Sequence, residues 1–523
     1  MDDRYLQVPN TRGSNVSLAS IEDENIDDQN GKFISYKYLY DKLSDALNNN
    51  DREEKKKYLK LIRPSINTKL KNQNTFLHLA VKDNNIKMVN ALLIVKPNIN
   101  ARNSNEDTPL NLAIVNSNTE IVHRLIFLGA KVNLKNLSGD TPLYLAIKQN
   151  NLIIMNLLMR VGSDVNAIDK DGNTPLHLAI KTNGISLGII RKLIHQGSNI
   201  NVIDKNGSTP LHLAIKRNHI GIVTMLIQQG SNINALDKDG STPLHLAIEC
   251  NNIGIVTMLI QQGSEINALD NRGNTPLHLA IKYNSIEIVN LLIQKGADVN
   301  STDEDKNTPL HLAMQHNNLK LVNTLIEERS HIDAVNKDKN TIFHLAVINC
   351  NTEIISYLLK TKERVNKFSS ILNVQNKDGN TPLHLAITAN NRDLIHALIG
   401  AKHKILKIEL NKKNNIDNTI LHLAAKINDK KYFNALVCSG SDINAINKDG
   451  DTPLHLAIKH NSNNIIETYI SIVVQVPQIL VNNKPIIIKN ITNYSGDNPV
   501  SLAEKKGDPY LTRNIKAIFC TEK

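Results

Sequence analysis

Ten histidines recur at one place in a repeating pattern: His78, His177, His212, His245, His278, His311, His344, His384, His422 and His455. Each stands three residues after a threonine. Imidazoles at fixed spacing could form a ladder of metal ligands, since each ring offers a nitrogen lone pair. Two facts argue against that chemistry. The histidine comes once per period, and Asn111 and Tyr144 take its place in two periods, where neither continues an imidazole array. Cys350 lies near His344, the residue types of a nucleophile and its base, but both belong to one short helix and its end, where no pocket or third orienting group is implied. No GxxxxGK[ST], HExxH, GxSxG or kinase-like loop set occurs. The sequence therefore predicts no catalytic residue, no metal site, no cofactor and no enzyme activity.

The elements that carry these histidines can be read from the hexamer Thr-Pro-Leu-His-Leu-Ala. It stands whole at Thr174, Thr209, Thr242, Thr275, Thr308, Thr381 and Thr452, mostly 33 residues apart. Near-copies begin at Thr75, Thr108, Thr141, Thr341 and Thr419. A fixed period of this length means stacked units rather than one compact core. The threonine is a good helix N-cap, and the proline after it sits where its missing N–H costs nothing. With the threonine as position 4, position 13 is usually Asn, as at Asn84, Asn150, Asn183, Asn218, Asn251, Asn284, Asn317, Asn390, Asn428 and Asn461. Asn tolerates the left-handed conformation that ends a helix. Ser117 and Cys350 stand there instead, so those two turns should be less comfortable. A second apolar helix follows, closed by Gly129, Gly162, Gly197, Gly230, Gly263, Gly296 or Gly440, and a Lys-Asp-Gly turn signal leads to the next hexamer.

A whole unit reads DGSTPLHLAIECNNIGIVTMLIQQGSEINALD from Asp239 to Asp270. It resembles the ankyrin repeat, and twelve such units cover roughly residues 70 to 470. The resemblance implies an all-α repeat solenoid, an ankyrin array of helix–turn–helix units with hairpin-like fingers. It also implies that the histidine bonds to its threonine and to a neighbouring unit, and that the protein works by binding other proteins.

The 523-residue chain has no tryptophan and few aromatics, so Leu, Ile, Val and Ala must build its core. Asn, Ile and Lys are abundant, a bias like that of an AT-rich genome, which gives single Asn and Lys residues little weight. The net charge of +11 favours an acidic protein partner. The lysines are dispersed with no compact basic run, which argues against nucleic acid. Four cysteines without close spacing read as free thiols in a reducing compartment. There is no signal-like N-terminus and no apolar stretch long enough to span a bilayer. These features predict a monomeric cytoplasmic protein, or one exported to a host cytoplasm without a cleaved signal. The Asn/Ile/Lys bias with a long array is similar to ankyrin proteins of intracellular bacteria or parasites, so an adaptor or secreted effector with activity in a terminal tail is the alternative function.

The expected layout is a disordered acidic segment (1–33), a degenerate helical cap (34–70), regular repeats (71–337), repeats with insertions (338–470), and an insertion with a degenerate C-terminal cap (471–523). A strand-like piece is expected from Pro485 to Asn490. The insertions coincide with the loss of helix-ending and finger glycines at Arg329 and Lys339, which suggests a soft segment between about 329 and 420.

In the family, contacts concentrate on the concave face, at finger positions 33, 1 and 3 and at helix positions 11 and 12. That rule selects Lys148, Lys170, Lys181, Lys205, Lys216, Arg217, Lys238, Asp239, Glu249, Asn271, Arg272, Lys282, Tyr283, Asp305 and His316 as candidate partner-binding residues. Two nearly identical units, beginning at Ser208 and Ser241, differ at seven places, and five fall at these positions. They are Lys216/Glu249, Arg217/Cys250, Lys238/Asn271, Asp239/Arg272 and Ser241/Asn274.

Overall fold

A computed structural model describes residues 25–27, 33–184, 186–360, 367–399, 408–475, 480–481, 484–485 and 491–519. The described residues form an all-α repeat array with two very short antiparallel strand pairs. Contacts divide the chain into two compact units, residues 1–250 with 261–264, and residues 251–260 with 265–523.

Each repeat is built the same way. In Pro210–Lys216, Thr209 caps the helix and Pro210 opens it, while Leu211, Ala214 and Ile215 are buried. The second helix, Ile220–Gln228, buries Ile222, Val223 and Leu226. One such pair exposes an apolar face, and only the next pair can cover it. Burying each large aliphatic side chain is worth roughly 1.5–3 kcal/mol, so stability resides in the stack rather than in any single repeat.

In five repeats two adjacent asparagines make the corner between the helices. Asn84, Asn150, Asn251, Asn317 and Asn390 take positive φ, as do Ser117 and Cys350. The following residue caps the second helix: the side chains of Asn85, Asn118, Asn151, Asn318 and Asn391 accept from the third N–H. One corner differs from expectation. Two extra residues shift the left-handed position from Asn183 to Gly184 (φ 74°), which pays no Cβ penalty. Arg329 and Lys339 hold the positive φ expected of glycine, at 63° and 57°.

In the first compact unit, helices Tyr36–Asn48 and Arg52–Ile62 precede the repeats. Tyr36 and Tyr40 pack on Phe76, with ring centroids 5.6 and 6.5 Å away, and the Tyr40 hydroxyl donates to Asp83 at 2.8 Å. The acidic segment expected to be disordered through residue 33 carries a strand, Asn25–Asp27, paired with Phe33–Ser35. Residues 1–24 and 28–32 lie outside the described residues.

In the second unit, Phe343 packs on Phe368 and Phe433 on Tyr469. Helices Pro499–Lys505 and Pro509–Phe519 end the described chain. A short strand pair joins Leu480–Val481 to Lys484–Pro485, and residues 486–490 of the strand expected from Pro485 to Asn490 lie outside the described residues. Parts of both long insertions, 361–366 and 400–407, also lie outside them, as does residue 185. Inter-repeat bonds nevertheless continue past both insertions, from His344 to Asn380 and from His384 to Asn418.

After the second helix a serine often follows the closing glycine. The hydroxyls of Ser163, Ser198, Ser231, Ser264, Ser330 and Ser441 are buried without a hydrogen-bond partner among the described residues. Ala130 and Ala297 fill the equivalent position and are also buried. Replacing Ser163 and Ser231 by Ala should therefore raise the urea midpoint, by about 0.5–1 kcal/mol per site. A lower midpoint would show that these hydroxyls do have partners.

Candidate protein-interaction surface

The surface is set by which polar groups the scaffold uses up. The histidine comes first. Its Nδ1 accepts from the threonine, as at Thr174, whose N–H lies 3.2 Å away and whose hydroxyl lies 2.8 Å away. Its Nε2–H donates to a backbone carbonyl of the next repeat, at 2.8 to 3.3 Å, from His78 to Asp107 through to His455 and Asp497. An Nδ1 facing an N–H donor must be unprotonated, so these rings are neutral Nε2–H tautomers. Both nitrogens are committed, which leaves no lone pair for a metal. Burial pushes these imidazoles below their ordinary range, to about 4 at His344, His384 and His422. The two substitutes solve half the problem each. Tyr144 reaches the next repeat by donating to the carbonyl of Asn173 at 2.5 Å. Asn111 keeps the threonine bond, but its amide nitrogen is buried without a partner.

The fingers come next. At position 32 an Asp or Asn turns inward, and one side-chain oxygen accepts two N–H groups of its own turn. Asp204 accepts from Asn206 and Ser208, and Asn447 from Asp449 and Asp451. Adjacent finger tips are joined by one backbone bond per repeat, as from Lys205 N–H to Asp171 O and from Lys238 N–H to Asn206 O, both 2.9 Å. The asparagine four residues after the helix-closing position adds a second ladder. Asn100, Asn133, Asn166 and Asn201 each accept from a backbone N–H of the next repeat.

These fingers consume the groove lysines. Lys181 and Lys216 bond Asp204 and Asp237 at 3.1 and 3.2 Å, and those carboxylates are almost fully buried. Lys148 bonds the buried Asp140 at 2.7 Å, and Lys459 bonds Asp451. Burial pushes Asp204 up, but the Lys181 ammonium and the N–H groups of Ser208 and Asn206 outweigh it and hold the carboxyl below the usual range. Four lysines at position 11 are therefore held in internal ion pairs.

The same geometry explains two of the five groove differences between the near-identical units. Where position 3 is Ser208 or Ser241, the finger aspartate takes the preceding lysine. Where position 3 is Asn173, Asn274 or Asn307, that amide bonds the finger aspartate itself. Lys216/Glu249 and Ser241/Asn274 are thus one coupled exchange within the scaffold. Arg217/Cys250, Lys238/Asn271 and Asp239/Arg272 remain, and all six residues are exposed.

The other candidates are placed as follows. Lys170 is exposed at a finger tip, and Lys205 pairs with Asp171 at 2.7 Å. Arg217 donates to Asn183 and to the carbonyl of Lys181. Asp305 pairs with Lys337 at 3.6 Å. Glu249, Lys282, Tyr283 and His316 are exposed at the ends of first helices. The position-3 residues Ser241 and Asn274 lie within the finger turns rather than on the contact face.

A family model described as ankyrin repeats (3 copies) matches residues 43–136, 118–202, 182–270, 255–338, 310–414, 401–471 and 421–511. Among solved structures, the ankyrin repeat domain of Bcl-3, described as a unique member of the IkappaB protein family, is 30% identical. The match covers 42% of this chain and 98% of that one, with a TM-score of 0.38. No curated protein matches. No described helix is long and apolar enough to cross a membrane.

Two predictions follow from the histidine bridge. Unfolding frees the rings to their ordinary pKa near 6.5, so between about pH 6.5 and 4 the unfolded chain binds more protons. Stability present above pH 6.5 should fall as pH drops through this window, which urea midpoints at pH 7.5, 6 and 4.5 will read. Asn111→His should supply the missing bridge and raise the neutral midpoint by about 1 kcal/mol. An unchanged midpoint would mean the ring does not reach the next repeat.

Proposed function

The chain belongs to the ankyrin repeat family, whose members are generally non-catalytic protein-interaction modules, and we propose that it is a scaffold holding a partner protein in the groove between its finger tips and first-helix ends. The observation that carries this reading is the remainder left by the scaffold. Once caps, bridges and finger turns are accounted for, Arg217/Cys250, Lys238/Asn271 and Asp239/Arg272 are differences at exposed positions outside the caps, the histidine bridges and the finger aspartates. The convex residues Thr224/Thr257, Gln228/Gln261 and Gln229/Gln262 did not change between the same two units. Exposure alone therefore does not account for where the differences fall.

The internal pairing of Lys148, Lys181 and Lys216 shifts the emphasis within the groove. Arg272, Lys282, Tyr283 and His316 are the residues through which a partner would be recognised, with a few anchors carrying most of the affinity. Mixed charge there sets orientation and partner choice more than raw affinity.

The test is affinity capture with the whole chain beside a variant carrying Arg217→Ala, Arg272→Ala, Lys282→Glu and His316→Ala. Lys216 is left intact because it neutralises Asp237. A second variant, Gln228→Ala with Gln229→Ala, marks the convex face. A partner held by the wild type and convex variant, and bound at least about tenfold more weakly by the groove variant, is the expected result. Equal retention by the groove variant would take the contact off the groove.

A further inference from the structure

Three consecutive fingers in the first compact unit carry the same triplet: Ile168-Asp169-Lys170, Ile203-Asp204-Lys205 and Leu236-Asp237-Lys238. The middle aspartate turns inward to accept N–H groups of its own turn. On either side of it the aliphatic residue and the lysine, which opens the turn, both stay at the surface. Ile168, Ile203 and Leu236 are 48%, 57% and 56% exposed, and the three lysines are exposed as well. The tip-to-tip bonds from Lys205 to Asp171 and from Lys238 to Asn206 hold these fingers in register. The result is an apolar stripe beside a basic stripe, repeated three times.

We propose that this double stripe docks an acidic amphipathic helix of a partner protein, lying along the fingers. The inference rests on the protein-scaffold reading and gives that partner a chemistry. Charge complementarity supplies the flank, since lysines call for carboxylates. The pitch supplies the form. Stacked helical units repeat every 8–10 Å or so, and seven residues of α-helix rise about 10.5 Å. A helix with one apolar residue in every seven therefore presents one to each finger, and glutamates on one side of that row meet the lysines. Lys205 also pairs with Asp171, but both side chains are more than half exposed, so an incoming carboxylate exchanges with a pair that water already screens. The chain contains its own contrast at Thr302-Asp303-Glu304, where the same turn carries neither the apolar residue nor the lysine.

The probe is a labelled helical peptide of about 22 residues with leucine at every seventh position and glutamate on one flank. Its twin carries lysine in place of glutamate. Binding to the full chain is read by fluorescence anisotropy. The glutamate peptide should bind, the lysine peptide should not, and salt should weaken the complex. Lys170→Glu/Lys205→Glu/Lys238→Glu and Ile168→Thr/Ile203→Thr/Leu236→Thr each take the residue type found at Glu304 or Thr302. Each should weaken binding at least about tenfold, while Arg217→Ala with His316→Ala should not. The peptide preference and salt dependence are read on unaltered protein, so a poorly folded variant does not remove the test. Equal binding of both peptides, binding of neither, or binding only to vesicles containing phosphatidylserine would overturn the proposal. So would loss of binding in the groove variant but not in the finger variants, which would leave the groove scaffold standing without this surface.

Discussion

A neutral imidazole has one lone pair and one N–H, and in this chain they face different repeats. The lone pair is held by the threonine that caps the helix, which fixes the ring. The N–H then reaches a carbonyl of the next finger turn, which already accepts one N–H of that turn, so it is the buried ring donor that only the junction can satisfy. Each unit is thus completed by its successor, in polar groups as well as in apolar area. The chain must stack before its groups are satisfied, so local order and long-range order arise from the same bonds. That dependence also makes acid the natural antagonist of the fold, since a second proton on the ring would face a backbone N–H.

The sequence made the repeat, the caps, the helix pair and the structural role of the histidines legible, because each rests on a residue with few alternative uses. Proline after threonine, glycine after an apolar helix and one histidine per period leave little freedom. Asparagine was read only in part: the left-handed position 13 was legible, as at Asn84, but its other roles were not. Its abundance looked like a compositional bias, yet Asn85, beside Asn84, caps the second helix. Asn133 and Asn166 join repeats, and Asn447 folds a finger. The signal was present as fixed position within the period, but composition obscured it. Asn183 shows the limit from the other side: two inserted residues gave the strained position to Gly184, and no pattern counted from the threonine could see that.

The lysines were also read one at a time. Lys148, Lys181 and Lys216 were selected as partner contacts because they stand at position 11, on the face where the family binds. Their partners lie 8, 23 and 21 residues away in sequence, in fingers folded back by their own turns. Such pairings cannot be read from local spacing. What the pairing removes from the groove, it leaves visible at the finger tips, where lysines stand beside aliphatic side chains.

The finger position has a further consequence for how such a chain can change. An asparagine there, as at Asn136 or Asn447, both folds its own turn and donates to the preceding repeat, at Asp107 and Asn418. An aspartate can only accept, so its second oxygen needs a donor. That donor is an asparagine in its own turn, or a lysine one repeat back when the turn holds serine. Repeats are therefore not freely interchangeable parts. A serine-bearing unit is a sound neighbour only for a unit ending its first helix in lysine, and a copy inserted elsewhere would bury an unanswered carboxylate. The two near-identical units obey this rule, since each serine turn follows a lysine. The array can lengthen by copying, but its wording is constrained at every junction.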